Sequence, residues 1–215
     1  MKTIIVSGGT PPTYELLKEE VNNNSYLICA DSGANCLYEY NIVPDLIVGD
    51  LDSINREVLE YFKDKHVKIA EYPPEKDYTD TEIAIDIAIK SGAKEIVLLG
   101  STGSRIDHML GNLGLLLRCL RQGVSAIIRD EYNTIMICDK SLTIKGVKGQ
   151  TFSLQAYYNN LYNLTITGAK YPLRDFYLEV GDPITISNEF LDNEVTITFS
   201  KGIVLIIYPY EKKDM

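Results

Sequence analysis

Two aspartates separated by one residue offer metal-binding chemistry. Asp50 and Asp52 lie in the run GDLDSI, directly after the apolar stretch Leu46–Val48. Side chains two residues apart in an extended chain face the same side, so both carboxylates could reach one cation. Such oxygen ligands suit Mg²⁺, which proteins commonly bind through one or two carboxylates together with substrate phosphates. The alternative is structural: Asp52 or Ser53 would only cap a helix that is predicted to begin near Asn55.

A third carboxylate belongs to the segment KDYTDTE. Thr79 and Glu82 have the spacing of a capping box, which predicts a helix over Thr81–Lys90. Asp80 then lies in the first turn, where the helix dipole favours an ionised carboxylate. The segment therefore predicts a helix start that also presents a candidate third metal ligand.

The segment GSTGSRIDH, Gly100–His108, has the pattern of a strand–loop–helix junction. Its glycines and small hydroxyl residues allow backbone N–H groups to approach a phosphate, and Arg105 adds a forked cation. The segment lacks the Gly-Lys-Ser/Thr ending of a P-loop. Asp107 has a second interpretation as the cap of the following helix, and Arg105 as a solvated surface charge. His108 is interpreted as structural, because no nucleophilic Ser or Cys stands out beside it.

Short apolar runs alternate with helical patterns over the first 130 residues, which predicts a doubly wound parallel sheet. The predicted strands are Thr3–Ser7, Tyr26–Ala30, Leu46–Val48, Val67–Ala70, Glu95–Leu99 and Ser125–Arg129. The predicted helices are Thr13–Val21, Ala34–Tyr40, Asn55–Lys63, Thr81–Lys90 and His108–Arg121. Ligands bind at the carboxyl ends of the strands in such a sheet. Asp31, Asp50 and the Gly100–His108 segment are therefore expected to converge at one edge.

The pattern changes to strands after about residue 130. The predicted strands are Thr134–Cys138, Ser141–Ile144, Thr151–Ala156, Leu164–Thr167, Ile184–Ser187, Glu194–Phe199 and Ile203–Tyr208. They predict an all-β sandwich or jelly-roll-like domain. The predicted domains are therefore residues 1–130, an α/β unit, and residues 131–215, a β unit.

The composition limits the partners. The 215 residues carry a net charge of −9 with a pI near 4.8, which argues against nucleic acid as the main partner. Four cysteines show no zinc or redox spacing, and Cys29 and Cys138 lie in apolar runs, where buried free thiols are expected. The start lacks the features of a signal peptide, and no apolar run approaches the ~20 residues of a membrane span. A soluble, cytoplasmic protein is the expectation.

Six ordered motifs resemble the thiamine pyrophosphokinase family. They are ADSGAN, PDLIVGDLDSI, KDYTDTE, GSTGSRIDHMLGNLGLL, GAKYPL and ISNEF. The resemblance spans roughly residues 3 to 207. It implies an α/β domain followed by a β-sandwich, in a homodimer whose active sites lie at or near the subunit interface.

The resemblance also implies a reaction: transfer of pyrophosphate from Mg-ATP to the hydroxyl of thiamine, giving thiamine diphosphate and AMP. The catalytic residues that it implies are Asp50, Asp52, Asp80 and Asp107, of which the first three also hold Mg²⁺. The residues that it implies for ATP are Asp31, Asn35, Asp77, Gly100 and Arg105. Those that it implies for thiamine are Ser187 and Asn188. Either Asp80 or Asp107 could orient or deprotonate the alcohol.

The sequence departs from the family pattern at two points. Ser32 stands where the family usually has a second glycine, and the chain has no Trp, whose aromatic ring often stacks on thiamine in relatives. Tyr171 is a candidate replacement, with core packing as its alternative role, and Lys76 is a candidate phosphate contact. Rival functions are another Mg²⁺-dependent enzyme, such as a pterin pyrophosphokinase or a nucleotide-sugar transferase, and a non-enzymatic thiamine or nucleotide sensor.

Overall fold

The computed structural model describes residues 1–75 and 77–209. The chain divides into two compact units, residues 1–131 and 132–215. Helices and a parallel sheet occupy the first unit, and the described part of the second is rich in β-strands, so the coarse fold prediction is confirmed. Within the described ranges, no helix is both long and apolar enough to cross a membrane.

The first unit alternates strands and helices along the chain. Its strands are β1 (Lys2–Val6), β2 (Ser25–Ala30), β3 (Leu46–Gly49), β4 (Lys68–Glu71), β5 (Glu95–Leu99) and β6 (Ser125–Arg129). Its helices are α1 (Tyr14–Glu20), α2 (Gly33–Glu39), α3 (Arg56–Asp64), α4 (Asp80–Lys90) and α5 (Ile106–Arg121). The predicted elements are confirmed here, with ends displaced by at most two residues.

The strands of this unit run parallel in the order β6-β5-β1-β2-β3-β4. Strand β1 is central: its Lys2 pairs with Ser25 of β2 on one side and with Glu95 of β5 on the other. Because all of these strands point the same way, their carboxyl ends share one edge of the sheet. That edge carries the loops that precede α1, α2 and α5.

The sheet is held by apolar side chains on alternate strand positions. Ile4 and Val6 of β1 belong to a buried cluster with residues of α1, α2 and α3, including Leu17, Leu37 and Phe62. Helix α4 packs along β1, β2 and β3. The strand ends are therefore fixed in place by a close-packed interior.

The second unit contains eight strands and two sheets among its described residues. The strands are β7 (Asn133–Cys138), β8 (Leu142–Lys145), β9 (Thr151–Ala156), β10 (Leu161–Thr167), β11 (Leu173–Leu178), β12 (Asn188–Glu189), β13 (Glu194–Thr198) and β14 (Val204–Pro209). Their orders are β12-β9-β14-β7 and β11-β10-β13-β8, with antiparallel pairs. Phe152 of β9 and Leu164 of β10 lie in one buried cluster, so the two sheets share a core.

One predicted strand is wrong in this unit, and two strands, β11 and β12, were not predicted. Ile184–Ser187 forms a turn, in which Asp182 accepts a hydrogen bond from the Ile184 N–H at 3.0 Å and Ser187 has φ +60°. The strand Leu173–Leu178 was not predicted, because Arg174 and Asp175 interrupt its apolar pattern. It pairs only with β10, on the outside of its sheet, so its polar residues remain exposed.

Candidate active site

A polar cleft of about 500 Å³ lies at the carboxyl edge of the parallel sheet. Segments that follow β1, β2 and β5 form its walls, together with the first turn of α4 and part of α5. The lining residues are Ser7–Thr10, Ala30–Ser32, Thr79–Thr81, Gly100–Arg105, His108 and Asn112. The expected convergence at this edge is confirmed for Asp31 and for the segment after β5.

Asp50 and Asp52 follow β3 in a turn, not in extended chain. Leu51 between them has φ +66°, and Asp50 Oδ1 accepts a hydrogen bond from the Asp52 N–H at 3.3 Å. Their carboxylates lie close together because the chain folds back on itself, so the prediction of proximity is confirmed for a different reason. The helix-cap alternative is wrong, since Asn55 occupies the N-cap position of α3.

Asp31 joins this pair. Carboxylate oxygens of Asp31, Asp50 and Asp52 lie within 4.8 Å of one another. Oδ2 of Asp31 accepts a hydrogen bond from Ser53 Oγ, whereas its Oδ1 is buried and has no partner among the described residues. The hydrogen bond and negative charge of Asp50 raise the pKa of Asp52. Clustered carboxylates with an unsatisfied oxygen have the chemistry of a divalent-cation site.

Asp80 lies in the first turn of α4, as predicted, and the helix begins at this residue. Thr79 Oγ1 accepts a hydrogen bond from the Glu82 N–H at 3.2 Å, so the predicted cap is confirmed. A Cβ placed on Gly49 would lie 3.2 Å from Asp80 Oδ1 and 3.3 Å from Asp31 Cβ. Asp80 therefore lies beside Asp31, and the glycine at the end of β3 leaves room for both.

Arg105 and Asp107 form an exposed bidentate ion pair. The guanidinium donates from Nε to Asp107 Oδ1 at 2.9 Å and from an Nη to Oδ2 at 2.6 Å. The hydrogen bond from Arg105 holds the pKa of Asp107 well below its usual range. Helix α5 begins at Ile106 with Arg105 at its N-cap position, so the interpretation of Asp107 as the cap is wrong.

The other residues proposed for ATP lie in separate places: one lines the main cleft, one lines a smaller cleft, and Asp77 lines neither. Gly100 lines the cleft and has φ +61°. Asn35 lines a smaller neighbouring cleft of about 210 Å³. Its amide donates to the Ser53 carbonyl at 3.2 Å and accepts from the Asn55 N–H at 3.0 Å. Asp77 is exposed and is not among the lining residues of either cleft, and Lys76 lies outside the described residues.

The residues proposed for thiamine lie in the second unit. The backbone N–H of Ser187 donates to Ser153 Oγ at 3.0 Å. Asn188 is only 3% exposed, and its amide bonds both the N–H and the carbonyl of Tyr171, at 3.0 and 2.8 Å. Tyr171 itself is 58% exposed, so the core-packing interpretation of this ring is wrong.

The segment Ser7–Thr10 is a wall of the cleft that the sequence analysis missed. The sequence feature that could have identified this segment is its position directly after β1, at the edge where the other polar segments converge. The Gly9 N–H donates to the Gly100 carbonyl at 2.7 Å, and a Cβ on Gly9 would lie 2.5 Å from that oxygen. Glycine is therefore required where the loops after β1 and β5 cross.

An α/β unit with a polar cleft and a carboxylate cluster at its strand ends, followed by a β-rich unit, defines the class of this protein. Two family profiles match it: "Thiamin pyrophosphokinase, catalytic domain" over residues 17–128 and "Thiamin pyrophosphokinase, vitamin B1 binding domain" over residues 136–204. The chain belongs to the thiamine pyrophosphokinase family.

Relatives that match nearly the whole chain agree with this assignment, and one relative that matches part of it is named for a different substrate. Thiamine pyrophosphokinase of Bacillus subtilis is 31% identical over 210 residues, covering 96% of this chain and 98% of that protein. A crystal structure of thiamine pyrophosphokinase from Bacillus subtilis superposes with a TM-score of 0.90 at 28% identity, covering 99% and 100% of the chains. The 6-hydroxymethyl-7,8-dihydropterin pyrophosphokinase of Pyrococcus furiosus is 30% identical over 128 residues, or 46% of this chain and 55% of that protein.

Proposed function

We propose that the chain is a thiamine pyrophosphokinase, which transfers pyrophosphate from ATP to the hydroxyl of thiamine and releases AMP. The observation that carries this proposal is the presence, in one chain, of the family's catalytic and vitamin B1 binding domains. The relative from Bacillus subtilis supports it across nearly the whole length of both proteins.

Mg²⁺ is the proposed metal. Asp50, Asp52 and Asp80 would hold it, and the unsatisfied oxygen of Asp31 beside them fits the same site. Bound Mg²⁺ supplies charge neutralisation for the phosphates of ATP. In the protein itself, the carboxylates fix the position of this charge at the end of β3. An acidic cleft also favours the cationic thiazolium of thiamine.

Backbone groups and Arg105 would bind the phosphates. Gly100 opens the loop that approaches the cleft, and the Arg105 guanidinium presents a planar fork that matches phosphate oxygens. In the ligand-free protein this fork is engaged by Asp107. A phosphate would compete with Asp107 for Arg105, and both side chains are exposed enough to move.

Asp80 and Asp107 are both proposed as groups that orient the thiamine hydroxyl or accept its proton. In the ligand-free protein the hydrogen bond from Arg105 lowers the pKa of Asp107, and a phosphate that takes Arg105 away would make Asp107 a stronger proton acceptor. Catalysis would otherwise depend on in-line positioning and on charge neutralisation.

The roles proposed for the domains follow the same division. Residues 1–130 would bind Mg²⁺ and ATP, including through Asn35 and Asp77, and residues 131–215 would bind thiamine through Ser187 and Asn188. The finer fold proposed is a doubly wound sheet followed by a sandwich of jelly-roll type, which the shared core of the two β-sheets supports. The protein is proposed to be a cytoplasmic homodimer with its active site at or near the subunit interface.

A pterin pyrophosphokinase is the second candidate. The relative from Pyrococcus furiosus, named for a pterin substrate, matches 46% of the chain, so similarity over part of the chain does not by itself identify the acceptor alcohol. The vitamin B1 binding profile over residues 136–204 favours thiamine.

The test is an assay of purified protein with ATP, Mg²⁺ and thiamine, with AMP and thiamine diphosphate measured together. We expect equal amounts of both products, and none without thiamine. A parallel reaction contains 6-hydroxymethyl-7,8-dihydropterin instead of thiamine. AMP release with the pterin alone would replace the first proposal by the second. Folded protein that releases AMP with neither alcohol would favour a sensor.

A further inference from the structure

Three side-chain hydroxyls meet at the wall of the cleft. Thr81 Oγ1 donates to Ser7 Oγ at 2.9 Å, and Ser101 Oγ lies 3.3 Å from the same Ser7 oxygen. Ser7 is 5% exposed and Ser101 4%. The three residues come from the segment after β1, the first turn of α4 and the loop after β5, so one partly buried contact joins three separate segments.

Asn112 extends this contact to α5. Its side chain is 9% exposed, and its Nδ2 donates to the Ser101 carbonyl at 2.8 Å. Asn112 lies on α5, seven residues after the N-cap residue Arg105. The loop that carries Gly103 and Arg105 is thus held at Ser101, near its start, by the helix that follows it.

A buried hydroxyl is costly unless it is hydrogen-bonded, and residues of similar shape such as Val or Ala would fill the same space. Ser7 Oγ is the shared acceptor for the hydroxyls of Thr81 and Ser101, and Ser101 Oγ also lies 3.4 Å from the Leu99 carbonyl oxygen. Because these hydrogen bonds are directional, they restrict the relative positions of the three residues more than apolar contacts of the same volume would. Thr81 is adjacent to Asp80 in sequence, and Ser101 is adjacent to Gly100. The shared contact therefore sets the spacing between the acidic side of the cleft and its phosphate loop.

We propose that Ser7, Thr81 and Ser101, anchored by Asn112, are positioning residues that hold Asp80 in register with the Gly100–Arg105 loop for Mg-ATP binding. This inference depends on the proposed function in one respect, namely that the ligand of the cleft is Mg-ATP. The hydroxyl network acts through Asp80 and the loop, not through thiamine. Its loss should therefore raise the KM for Mg-ATP and leave the KM for thiamine unchanged, because the proposed thiamine contacts are Ser187 and Asn188.

The experiment compares Thr81→Val, which keeps the shape but loses the hydroxyl, with Thr81→Ser, which keeps the hydroxyl. We expect Thr81→Val to raise the KM for Mg-ATP on the order of tenfold, with the KM for thiamine unchanged. Thr81→Ser should stay close to the wild type. Ser7→Ala, which removes the shared acceptor without adding bulk, should reproduce the effect of Thr81→Val.

A double variant separates positioning from direct contact with ATP. Because Ser7→Ala already removes the acceptor of the Thr81 hydroxyl, Thr81→Val combined with Ser7→Ala should be no worse than Ser7→Ala alone. Multiplied effects, on the order of a hundredfold, would mean two independent contacts with the ligand and would overturn the proposal. An unchanged KM for Mg-ATP in both single variants would overturn it as well.

The matched control is Thr3→Val, the same chemical change in β1. Thr3 is fully buried, and its hydroxyl has no partner among the described residues. Its kinetic constants should equal those of the wild type. A second readout, independent of thiamine turnover, is the rise in Tm on adding Mg-ATP, which should be smaller in Thr81→Val than in Thr81→Ser. Equal rises in these two variants would refute the network, whereas a missing reaction with thiamine would refute only the proposed function.

Discussion

Leu51 decides how the two aspartates of the run GDLDSI are presented. A non-glycine residue at φ +66° costs on the order of 1 kcal/mol or more, and it persists only where the surroundings enforce it. Leu51 packs against the buried cluster beneath the strand ends, which supplies that enforcement. The spacing of Asp50 and Asp52 correctly predicted a shared site. The left-handed turn could not be predicted, because nothing in the pattern D-L-D distinguishes a turn from extended chain.

Asp50→Asn and Asp52→Asn are each expected to reduce thiamine-dependent AMP release by at least about a hundredfold, because an amide is a poor ligand for Mg²⁺ and does not neutralise its charge. The Tm should stay within a few degrees, since removing one of several clustered carboxylates relieves repulsion. AMP release and thermal unfolding are the measurements. Asp64→Asn, at the exposed end of α3, is the control and should match the wild type. Full activity in both variants would remove the pair from the site.

Ser187 and Asn188 should respond differently to truncation. Ser187→Ala is expected to raise the KM for thiamine with no loss of stability, because the contact made by Ser187 with Ser153 uses its backbone N–H. Asn188→Ala should lower the free energy of unfolding by roughly 2 kcal/mol in addition, because it removes a buried side chain and leaves the backbone N–H and carbonyl of Tyr171 without this partner. Steady-state kinetics and urea unfolding measure the two effects. Equal stability of both variants would contradict the structural role of Asn188.

At the scale of helices and strands, short sequence patterns correctly predicted structure where one interaction between residues close in sequence determines it. Thr79 caps α4 as its spacing predicted, because this contact lies within four residues. Such patterns gave wrong or missing strands where the position of a segment in the folded unit determines its structure. Ile184 is apolar yet 56% exposed in a turn, and the charged pair Arg174-Asp175 lies within a strand. The wall at Ser7–Thr10 was missed for a related reason, since its role arises from the crossing of two loops that are far apart in sequence.

The close approach of these two loops can be tested by replacing Gly100, which lies at the crossing, and Gly111, which does not. A Cβ on Gly100 would lie 2.3 Å from the Ser7 carbonyl oxygen, at φ +61°, so Gly100→Ala should destabilise the protein by roughly 2–4 kcal/mol. Gly111, in the exposed interior of α5, has nothing within 4 Å of its added Cβ. Gly111→Ala should therefore stabilise by up to about 1 kcal/mol. Urea unfolding measures both changes, and destabilisation by Gly111→Ala or none by Gly100→Ala would contradict this account of the loops.

At the scale of the whole molecule, periodicity predicted the order of architectures, because a parallel sheet with covering helices and a β-rich unit have different hydrophobic periods. Substrate identity did not follow from these patterns. The carboxylate cluster around Asp50 is compatible with several phosphoryl-transfer reactions, and only the six motifs taken together indicated thiamine. This division has a physical basis: the metal chemistry needs a few oxygen atoms, whereas recognition of an alcohol needs a complete surface.

Alkaline pH should destabilise the molecule through its buried thiols. Burial raises the pKa of Cys36 and of Cys119 from 9.0 to about 11. The folded state therefore retains protons that the unfolded chain releases, so the free energy of unfolding is unaffected below about pH 9 and falls as the pH rises toward 11. Each thiol can contribute a slope of up to about 1.4 kcal/mol per pH unit in this window. Burial also raises the pKa of Tyr157 above 10.0, which adds to the loss at the upper end.

The measurement is urea unfolding under reducing conditions at pH 7, 8, 9, 10 and 11, for the wild type and Cys119→Ala. The variant has lost a fully buried side chain and should be less stable at every pH, so its absolute stability is uninformative. Its slope between pH 9 and 10 carries the test, because tyrosines contribute little there. We expect this slope to be shallower than that of the wild type by the contribution of one thiol. Parallel curves would show that Cys119 ionises equally in the folded and unfolded chains. That result would require water to reach the buried side of α5, where Cys119 lies.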